Sequence, residues 1–411
     1  MLNLPTLDKS YWRESYRESL YPQLGEDLNV DVVIVGAGIT GLTSAYLLKK
    51  AGFRVAVLEK YTVGGGTTGR TTGKVTSQHN LVYHDLQKRL GDEVAQIYAD
   101  ANQSAVKLVA SIVKQEKIDC GWQRQDNYVY TSSLEEVELL RQEAEVAVSL
   151  GLPASFESNT PLPFKTVASV KFSDQSKINA QKYLLGLAEY VNGDSGYVFE
   201  NSPVHRIMGG KSCFVKTKKA KVHAKQIIIA TNVPAFPLLA RGTFCLFEYP
   251  VESYIVAGIT PKKLDGMYIS PDKNNYSVLP AEINGVQHIL IGGEGHFSGF
   301  RFSRKKRFRK LADYAEKQLG VTEITHKWSD RDYLGYDGIP LVGPLYPWSK
   351  NVFVGTAFKK WGLSNGTAAA MILNDLILGK ENAWASTFYP HRLRLITSIP
   401  RVIIENIKVN R

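Results

Sequence analysis

Cysteine is the scarcest residue type that bears on chemistry here: Cys120, Cys213 and Cys245 are the only three in 411 residues, and they lie far apart. None belongs to a Cys-x-x-Cys, Cys-x-His or Cys-x-x-His pair, so the ligand spacing of a zinc or iron–sulfur centre is missing and no metal is expected. An odd number without a disulfide framework fits a reducing compartment, and the chain is expected to be cytoplasmic. Long apolar runs are also missing. Those present, such as residues 226–230 (QIIIA), fall far short of the roughly 20 residues that span a bilayer, so no transmembrane segment is expected. The first fifteen residues, MLNLPTLDKSYWRES, lack the apolar stretch of a signal peptide. The formal net charge is +11, but the lysines and arginines are dispersed except at residues 301–310 (RFSRKKRFRK). A single run of that kind is read as a solvated face, with no nucleic-acid partner.

What the chain does have is a nucleotide-binding unit. Residues 31–35 (DVVIV) form a short β-branched run, as a strand buried on both faces requires. Gly36, Gly38 and Gly41 follow at Gly-x-Gly-x-x-Gly spacing. The first glycine permits a tight turn, the second lets backbone approach a pyrophosphate, and the third lets the next helix pack against the strand. That helix is expected over residues 39–51, its N-terminal N–H groups facing the phosphates, with Gly52 closing it. Residues 54–59 (RVAVLE) read as the second strand. Glu59, at its end, can accept from ribose hydroxyls and would repel a 2′-phosphate. The ordered set of strand, glycines, helix, strand and acid, within about 30 residues, predicts dinucleotide binding. It disfavours NADP and leaves FAD and NAD both open.

The stretch that follows bears on that choice. Residues 61–80 (YTVGGGTTGRTTGKVTSQHN) are rich in glycine and threonine, which suits a loop lying under a large, flat, polar cofactor. Residues 224–236 (AKQIIIATNVPAF) give another buried strand and a small-residue turn. Near the end, NVFVGTA reads as a strand, and SNGTAAAMILNDLILGK as a helix with Ala369, Ile372, Leu373 and Leu376 apolar. Ser364 or Asn365 is its expected N-cap. The positive end of that helix would stabilise an anionic reduced flavin.

These segments together resemble the D-amino-acid oxidase/glycine oxidase superfamily of FAD-dependent oxidoreductases. The ordered motifs run from about Asp31 to Lys380. Within the superfamily the chain is most similar to a bacterial group whose flavin domain is fused to a Rieske domain, on the strength of SYWRESY, TTGRTTGKVTSQHN and FKKWGLSNGTAAA. The Rieske cysteines and histidines are absent, so the likeness is to the flavin part alone. The resemblance implies an α/β chain of two interleaved parts: a Rossmann-like FAD-binding domain and an antiparallel-sheet substrate domain. The expected division is 1–90, 157–240 and 330–390 for FAD, 91–156 and 241–329 for substrate, and 391–411 as a C-terminal tail, a linker remnant or packing helix.

The resemblance also assigns residues. Gly36, Gly38, Ile39, Thr40 and Gly41 go to the pyrophosphate turn, and Glu59 with Lys60 to the adenosine ribose. Gly66, Thr67, Thr68, Arg70, Thr71, Thr72, Gly73 and Lys74 would line pyrophosphate and flavin ring. Val204 would meet adenine, with Ala230 and Thr231 near the pyrophosphate. Gly355, Phe358, Lys359, Lys360, Trp361, Gly362, Leu363 and Ser364 would frame the isoalloxazine. Some relatives attach FAD to a cysteine before the Asp-Gly motif. The matching KWSDRDYLGYDG has none, which implies non-covalent FAD. Some use a lysine for reaction with oxygen on a strand that here carries Ile289 and Leu290.

The implied reaction is oxidation of the C–N bond of an amine or amino acid by hydride transfer to flavin N5, with oxygen or a redox partner as electron acceptor. No catalytic residue is fixed by motif. Tyr254, Tyr276, Lys359, Lys360, His79 and His296 are the pocket candidates. Tyrosines of this kind are more often packing, and histidines more often structural. The two lysines are the best anion-binding candidates. Two other functions remain open: an electron-transfer subunit serving a separate iron–sulfur protein, and a non-catalytic flavin-binding protein.

Overall fold

A computed structural model describes residues 2–14, 21–211, 213–234, 238–272, 274–283, 285–298 and 303–393. The end of the SYWRESY motif, Phe236, Arg301, Phe302 and tail residues 394–411 lie outside that range.

Two sheets carry the chain. The first has the strand order Leu341–Pro344, Val352–Thr356, Lys221–Ile229, Leu28–Val35, Val55–Leu58, Gly196–Phe199. Pairing is parallel throughout except at Leu341–Pro344, and a short antiparallel extension, Arg206–Met208 with Phe214–Lys216, joins Lys221–Ile229. Side chains of Leu28–Val35 alternate between two cores: Val32 and Ile34 pack on one side, Val33 and Val35 on the other. Such double burial is what a β-branched run without polar alternation specifies. Helices Ile39–Lys50 and Gly362–Ile377 lie together against the first of these cores.

The second sheet has the order Glu323–Gly335, Glu248–Ile259, Val286–Phe297, Ser277–Ile283, Met267–Ile269, Gln123–Thr131, Ala168–Lys177, Lys74–Val75, with Ala154–Glu157 also paired to Ala168–Lys177. It is antiparallel except between Met267–Ile269 and Gln123–Thr131. Strands Lys74–Val75, Ala168–Lys177 and Glu323–Gly335 thus join this sheet from segments on either side of first-sheet strands, so the chain crosses between the sheets repeatedly. Helix Arg304–Leu319 packs on one face through Phe308, Leu311, Ala312, Ala315 and Leu319.

The dense basic run falls on that helix, and much of its charge is paired. Arg304 reaches Asp8 and Ser329, Arg307 and Lys310 both reach the buried Glu294, and Arg309 donates to the carbonyl of Leu2. The helical stretches expected near residues 91–117 and 133–151 appear as Asp92–Gln115 and Val137–Ser149. The start of the tail is anchored. Arg392 is buried and forms a two-pronged pair with Asp337, Nε to Oδ2 at 2.6 Å and Nη2 to Oδ1 at 2.7 Å. Among the described residues, no helix is long and apolar enough to cross a membrane.

Candidate active site

The three glycines each have a visible task. Gly36 has φ +109°, and a Cβ there would stand 2.5 Å from the carbonyl oxygen of Ala230 on the neighbouring turn. Only glycine fits both the angle and the approach. Gly38 is the N-cap of helix Ile39–Lys50, which has no side-chain cap bond. Gly41 faces inward: a Cβ there would stand 1.9 Å from the Gly36 carbonyl oxygen. It lets helix and turn touch. The helix ends one residue earlier than expected, with Ala51 as its C-cap and Gly52 beyond it at φ +90°. Glu59 is half-buried, and its carboxylate accepts from the N–H groups of Ala37 (2.8 Å) and Tyr61 (3.0 Å). Burial holds its pKa above the usual range against those two bonds.

The Gly/Thr stretch forms a short turn, Thr67–Arg70, whose position is set by distant side chains. Ser10 Oγ donates to Gly69 O, Trp12 Nε1 to Thr71 O and Trp328 Nε1 to Arg70 O, at 2.6–2.8 Å. Ser10 and Trp12 belong to the SYW motif, which is thereby a clamp on the loop. Thr68 Oγ1 accepts from the N–H of Ile39 at 3.2 Å, and Asn232 Nδ2 donates to Thr67 Oγ1 at 3.1 Å.

Helix Gly362–Ile377 starts two residues before the expected cap. Its N-cap is Trp361, without a cap bond. Ser364 and Asn365 lie inside the first turn. Their side chains turn to His79 Nε2 (2.7 Å) and to the Phe358 carbonyl (3.0 Å). The cap expectation fails because these side chains have long-range partners that local sequence does not show. The preceding turn is strained: Ala357, Lys359 and Lys360 all have φ between +54° and +67°. Non-glycine residues in that region cost of order 1–3 kcal/mol each and persist only where the surroundings hold them. Asp332 supplies the hold, accepting from the N–H groups of Lys360 (2.5 Å) and Tyr333 (2.9 Å). Burial pushes the Asp332 carboxyl up to about 6.

All these pieces border one cleft of about 1,900 Å³. That exceeds the roughly 300–1,000 Å³ of ordinary small-molecule pockets. Of the residues assigned above, Gly36, Gly38, Ile39, Thr40, Glu59, Lys60, Gly66, Thr67, Thr68, Arg70, Thr71, Thr72, Lys74, Val204, Ala230, Thr231, Phe358, Lys359, Lys360, Trp361, Gly362, Leu363, His79 and Tyr254 line it. Gly41, Gly73, Gly355, Ser364, Tyr276 and His296 are not on its wall. Tyr276 stacks on Tyr314 at 4.1 Å and donates to Glu294. Tyr254 and His296 bond each other at 2.9 Å. Because His296 Nδ1 faces the carbonyl of Phe297, Nε2 is the acceptor and the tyrosine donates. His79 is buried, with Nε2 on the Thr76 carbonyl and Nδ1 on Tyr98 Oη, and it stacks on Trp361. The carbonyl can only accept, so Nε2 carries the proton. Burial lowers the His79 pKa to about 3, and the ring is a neutral strut.

The adjacent lysines point apart. Lys359 Nζ and Arg89 Nη2 flank the space over Gly338, while Lys360 Nζ and Ser253 Oγ flank that over Gly295. Both lysines have pKa values lowered by burial. The motif reading missed His84, Asp85, Lys88 and Arg89 on helix Tyr83–Leu90, and Asp330 and Asp332 on strand Glu323–Gly335, all on the cleft wall. No spacing rule links them to the glycine motif; only the fold does.

The site fits a large dinucleotide. Two helices, of 12 and 16 residues, open onto the same cleft with N-termini whose N-cap residues make no side-chain cap bond, each with partial positive charge. The buried Thr40 Oγ1 at the first terminus has no hydrogen-bond partner among the described residues. A parallel sheet carrying this turn, on a cleft that an antiparallel sheet also lines, is the frame of a dinucleotide-dependent enzyme. The profile of the family described as FAD dependent oxidoreductase (DAO) matches residues 31–376, and the chain belongs to that family of flavoenzymes. It is 33% identical over 404 residues to the putative Rieske 2Fe-2S iron-sulfur protein YhfW of Bacillus subtilis (strain 168), covering 98% of this chain and 79% of that one. It is 27% identical to gamma-glutamylputrescine oxidoreductase of Escherichia coli (strain K12), covering 87% and 86% of the two chains. The crystal structure of glycine oxidase from Geobacillus kaustophilus superposes with a TM-score of 0.75 at 21% identity, over 89% of this chain and 99% of that one.

Proposed function

We propose that the protein oxidises the C–N bond of a small amine or amino acid, with the cofactor on the first sheet and the substrate against the second. One observation carries this reading: the two helix N-termini open onto a cleft whose far wall is the antiparallel sheet, so cofactor and substrate share one space. The names of relatives, glycine oxidase and gamma-glutamylputrescine oxidoreductase, supply the substrate class. When bound, FAD supplies a two-electron acceptor at N5 for the hydride from the carbon beside the substrate nitrogen. The protein's share is placement. Gly36, Gly38 and the terminus of helix Ile39–Lys50 would hold the pyrophosphate. Glu59 would take the ribose. Trp361, Gly362 and Leu363 would meet the ring system at the second terminus, where positive potential favours added negative charge. Lys359 and Lys360, on the turn that Asp332 braces, offer two separate cations to an anionic group of the substrate. Neither Nζ has a hydrogen-bond or ion-pair partner among the described residues. Attachment is non-covalent in this reading: none of the three cysteines is on the cleft wall. Those free thiols also fit the cytoplasmic placement.

The test is anaerobic mixing of the flavin-loaded protein with glycine, L-proline, iminodiacetate and gamma-glutamylputrescine, watching the flavin absorbance. At least one amine is expected to bleach it. Full reduction by dithionite with none by any amine would contradict the reading. Reoxidation by air, compared with a one-electron acceptor, then distinguishes an oxidase from a dehydrogenase that serves an iron–sulfur partner.

A further inference from the structure

Lys74 is a buried lysine on the cleft wall to which the proposed function gives no task. It sits on the two-residue strand Lys74–Val75 and is 5% exposed. Its Nζ donates to the Tyr268 carbonyl at 2.6 Å and to Ser277 Oγ at 2.8 Å. Among the described residues no carboxylate answers it. Burial alone lowers its pKa to about 7. Buried lysines are ordinarily paired, because an unpaired ammonium in low dielectric is costly.

Most of the surrounding titratable groups are engaged elsewhere; the exception is the buried Tyr11 hydroxyl, which has no hydrogen-bond partner among the described residues. Lys177, directly across the strand pair, donates to the Pro280 carbonyl. On that same strand Lys171 pairs with Asp126, and Asp174 with Arg124. The Tyr268 hydroxyl bonds the Asp265 carbonyl, Tyr276 bonds Glu294, and Glu294 pairs with Arg307 and Lys310. Glu282 accepts from Gln287, and His288 bonds the Val286 carbonyl. Tyr11 packs on Trp12, His288 and His326, and Arg70 reaches Ser329 and Asp330.

The hydrogen-bond count at Nζ favours the neutral amine. An ammonium has three protons for two acceptors. A neutral amine places both of its protons and keeps a lone pair. Ser277 is paired in register with Gly292, and Ser277, Gly292, Thr72 and Ile255 all line the cleft around it. A Cβ on Gly292 would meet Thr72 and Ile255 at 3.5 Å, an ordinary contact distance.

We propose that Lys74 is a catalytic residue that accepts the ammonium proton of the bound amine substrate before its C–H bond breaks. The inference rests on the amine-oxidising reading. Amines reach the site mostly protonated, and a protonated nitrogen has no lone pair to drive hydride departure. Lys74 in its neutral form takes one proton, which leaves neutral substrate and a lysine ammonium. The hydride then leaves carbon with the bonding electron pair for the enzyme's two-electron acceptor. The nitrogen lone pair forms the C=N bond, the product departs as an iminium, and Lys74 returns its proton to solvent.

The experiment compares the FAD holoenzyme of the wild type with Lys74→Met, which keeps length and removes the base. Anaerobic reduction by an amine from the panel is followed across roughly pH 6–10. The wild-type rate is expected to rise from pH 6 as the Lys74 ammonium loses its proton and to level off above about 7. At pH 7 the variant is expected to be slower by about 10²–10⁴-fold, with its inflection moved to the substrate's own amine pKa and with partial rescue by added ethylamine. Flavin content and Tm show whether the variant is folded. An activity-free readout stands beside the kinetics: in ¹⁵N-lysine-labelled wild type, one Nζ signal should titrate near pH 7. If no lysine titrates below about pH 9, or if Lys74→Met keeps the wild-type rate and profile, the Lys74 role is overturned while amine oxidation stands. A wild type that no amine reduces at any pH overturns the amine reading and the Lys74 role together.

Discussion

Gly41→Ala is expected to leave a protein that binds FAD at least about tenfold more weakly, equivalent to about 1.4 kcal/mol, and that melts at lower temperature. In most helices this substitution gains about 1 kcal/mol, since alanine has the higher propensity. Here the new Cβ would stand 1.9 Å from the Gly36 carbonyl oxygen and 3.3 Å from Ile34 Cγ2. Neither neighbour is the end of a flexible side chain. The turn must move, and overpacking of this kind costs roughly 1–3 kcal/mol or more. Because the moving atom belongs to the turn proposed to hold the pyrophosphate, cofactor affinity is expected to fall with stability. Gly242→Ala is the control. It lies in helix Leu238–Phe247, where an added Cβ meets nothing within 4 Å, and flavin content should not change. Flavin absorbance per protein and thermal melts check both. Full flavin content in Gly41→Ala would show that helix and turn do not touch as described.

Arg392→Ala is expected to lower stability by about 3–5 kcal/mol, the range for breaking a buried ion pair from one side. The guanidinium is spent completely. It pairs with both oxygens of Asp337 and donates to the carbonyls of Ile339, Pro340, Phe388 and Tyr389. Removing it takes the paired cation from a fully buried carboxylate. Arg392→Lys keeps the charge and loses the fork, so it should fall between wild type and alanine. The effect reaches the site, because the Asp337 carbonyl also accepts from Arg89 and the next residue, Gly338, adjoins Lys359 Nζ. Chemical denaturation measures the loss. An unchanged midpoint for alanine would mean that residues 391–393 are not part of the folded unit.

Some of this architecture was legible in the sequence, and the reason is local geometry. Gly36 and Gly41 encode a turn and a helix contact within six residues, so their spacing, set between strand and helix, is readable locally. The buried strands 31–35 and 226–229 likewise announce themselves by β-branched runs. What stayed hidden depends on contacts between distant residues. Trp12 and Trp328 fix the Gly/Thr loop from 59 and 258 residues away. Asp332 braces the turn at Lys360 from 28 away. Ser364 reads as a cap by residue type but is drawn to His79, 285 residues off. Lys74 was legible as a cleft residue, yet its lack of a carboxylate partner shows only once three strands surround it. The Arg392–Asp337 pair was invisible, because an arginine in a basic tail gives no hint of a buried acid 55 residues upstream.

The most direct test of the central claim is the absorption spectrum of the purified protein, taken before and after acid precipitation. An FAD site built on two helix termini, with no cysteine on the cleft wall, predicts the two-band spectrum of an oxidised flavin and complete release of FAD into the supernatant. A colourless protein that cannot be reconstituted with FAD, or flavin that stays with the precipitate, would contradict it.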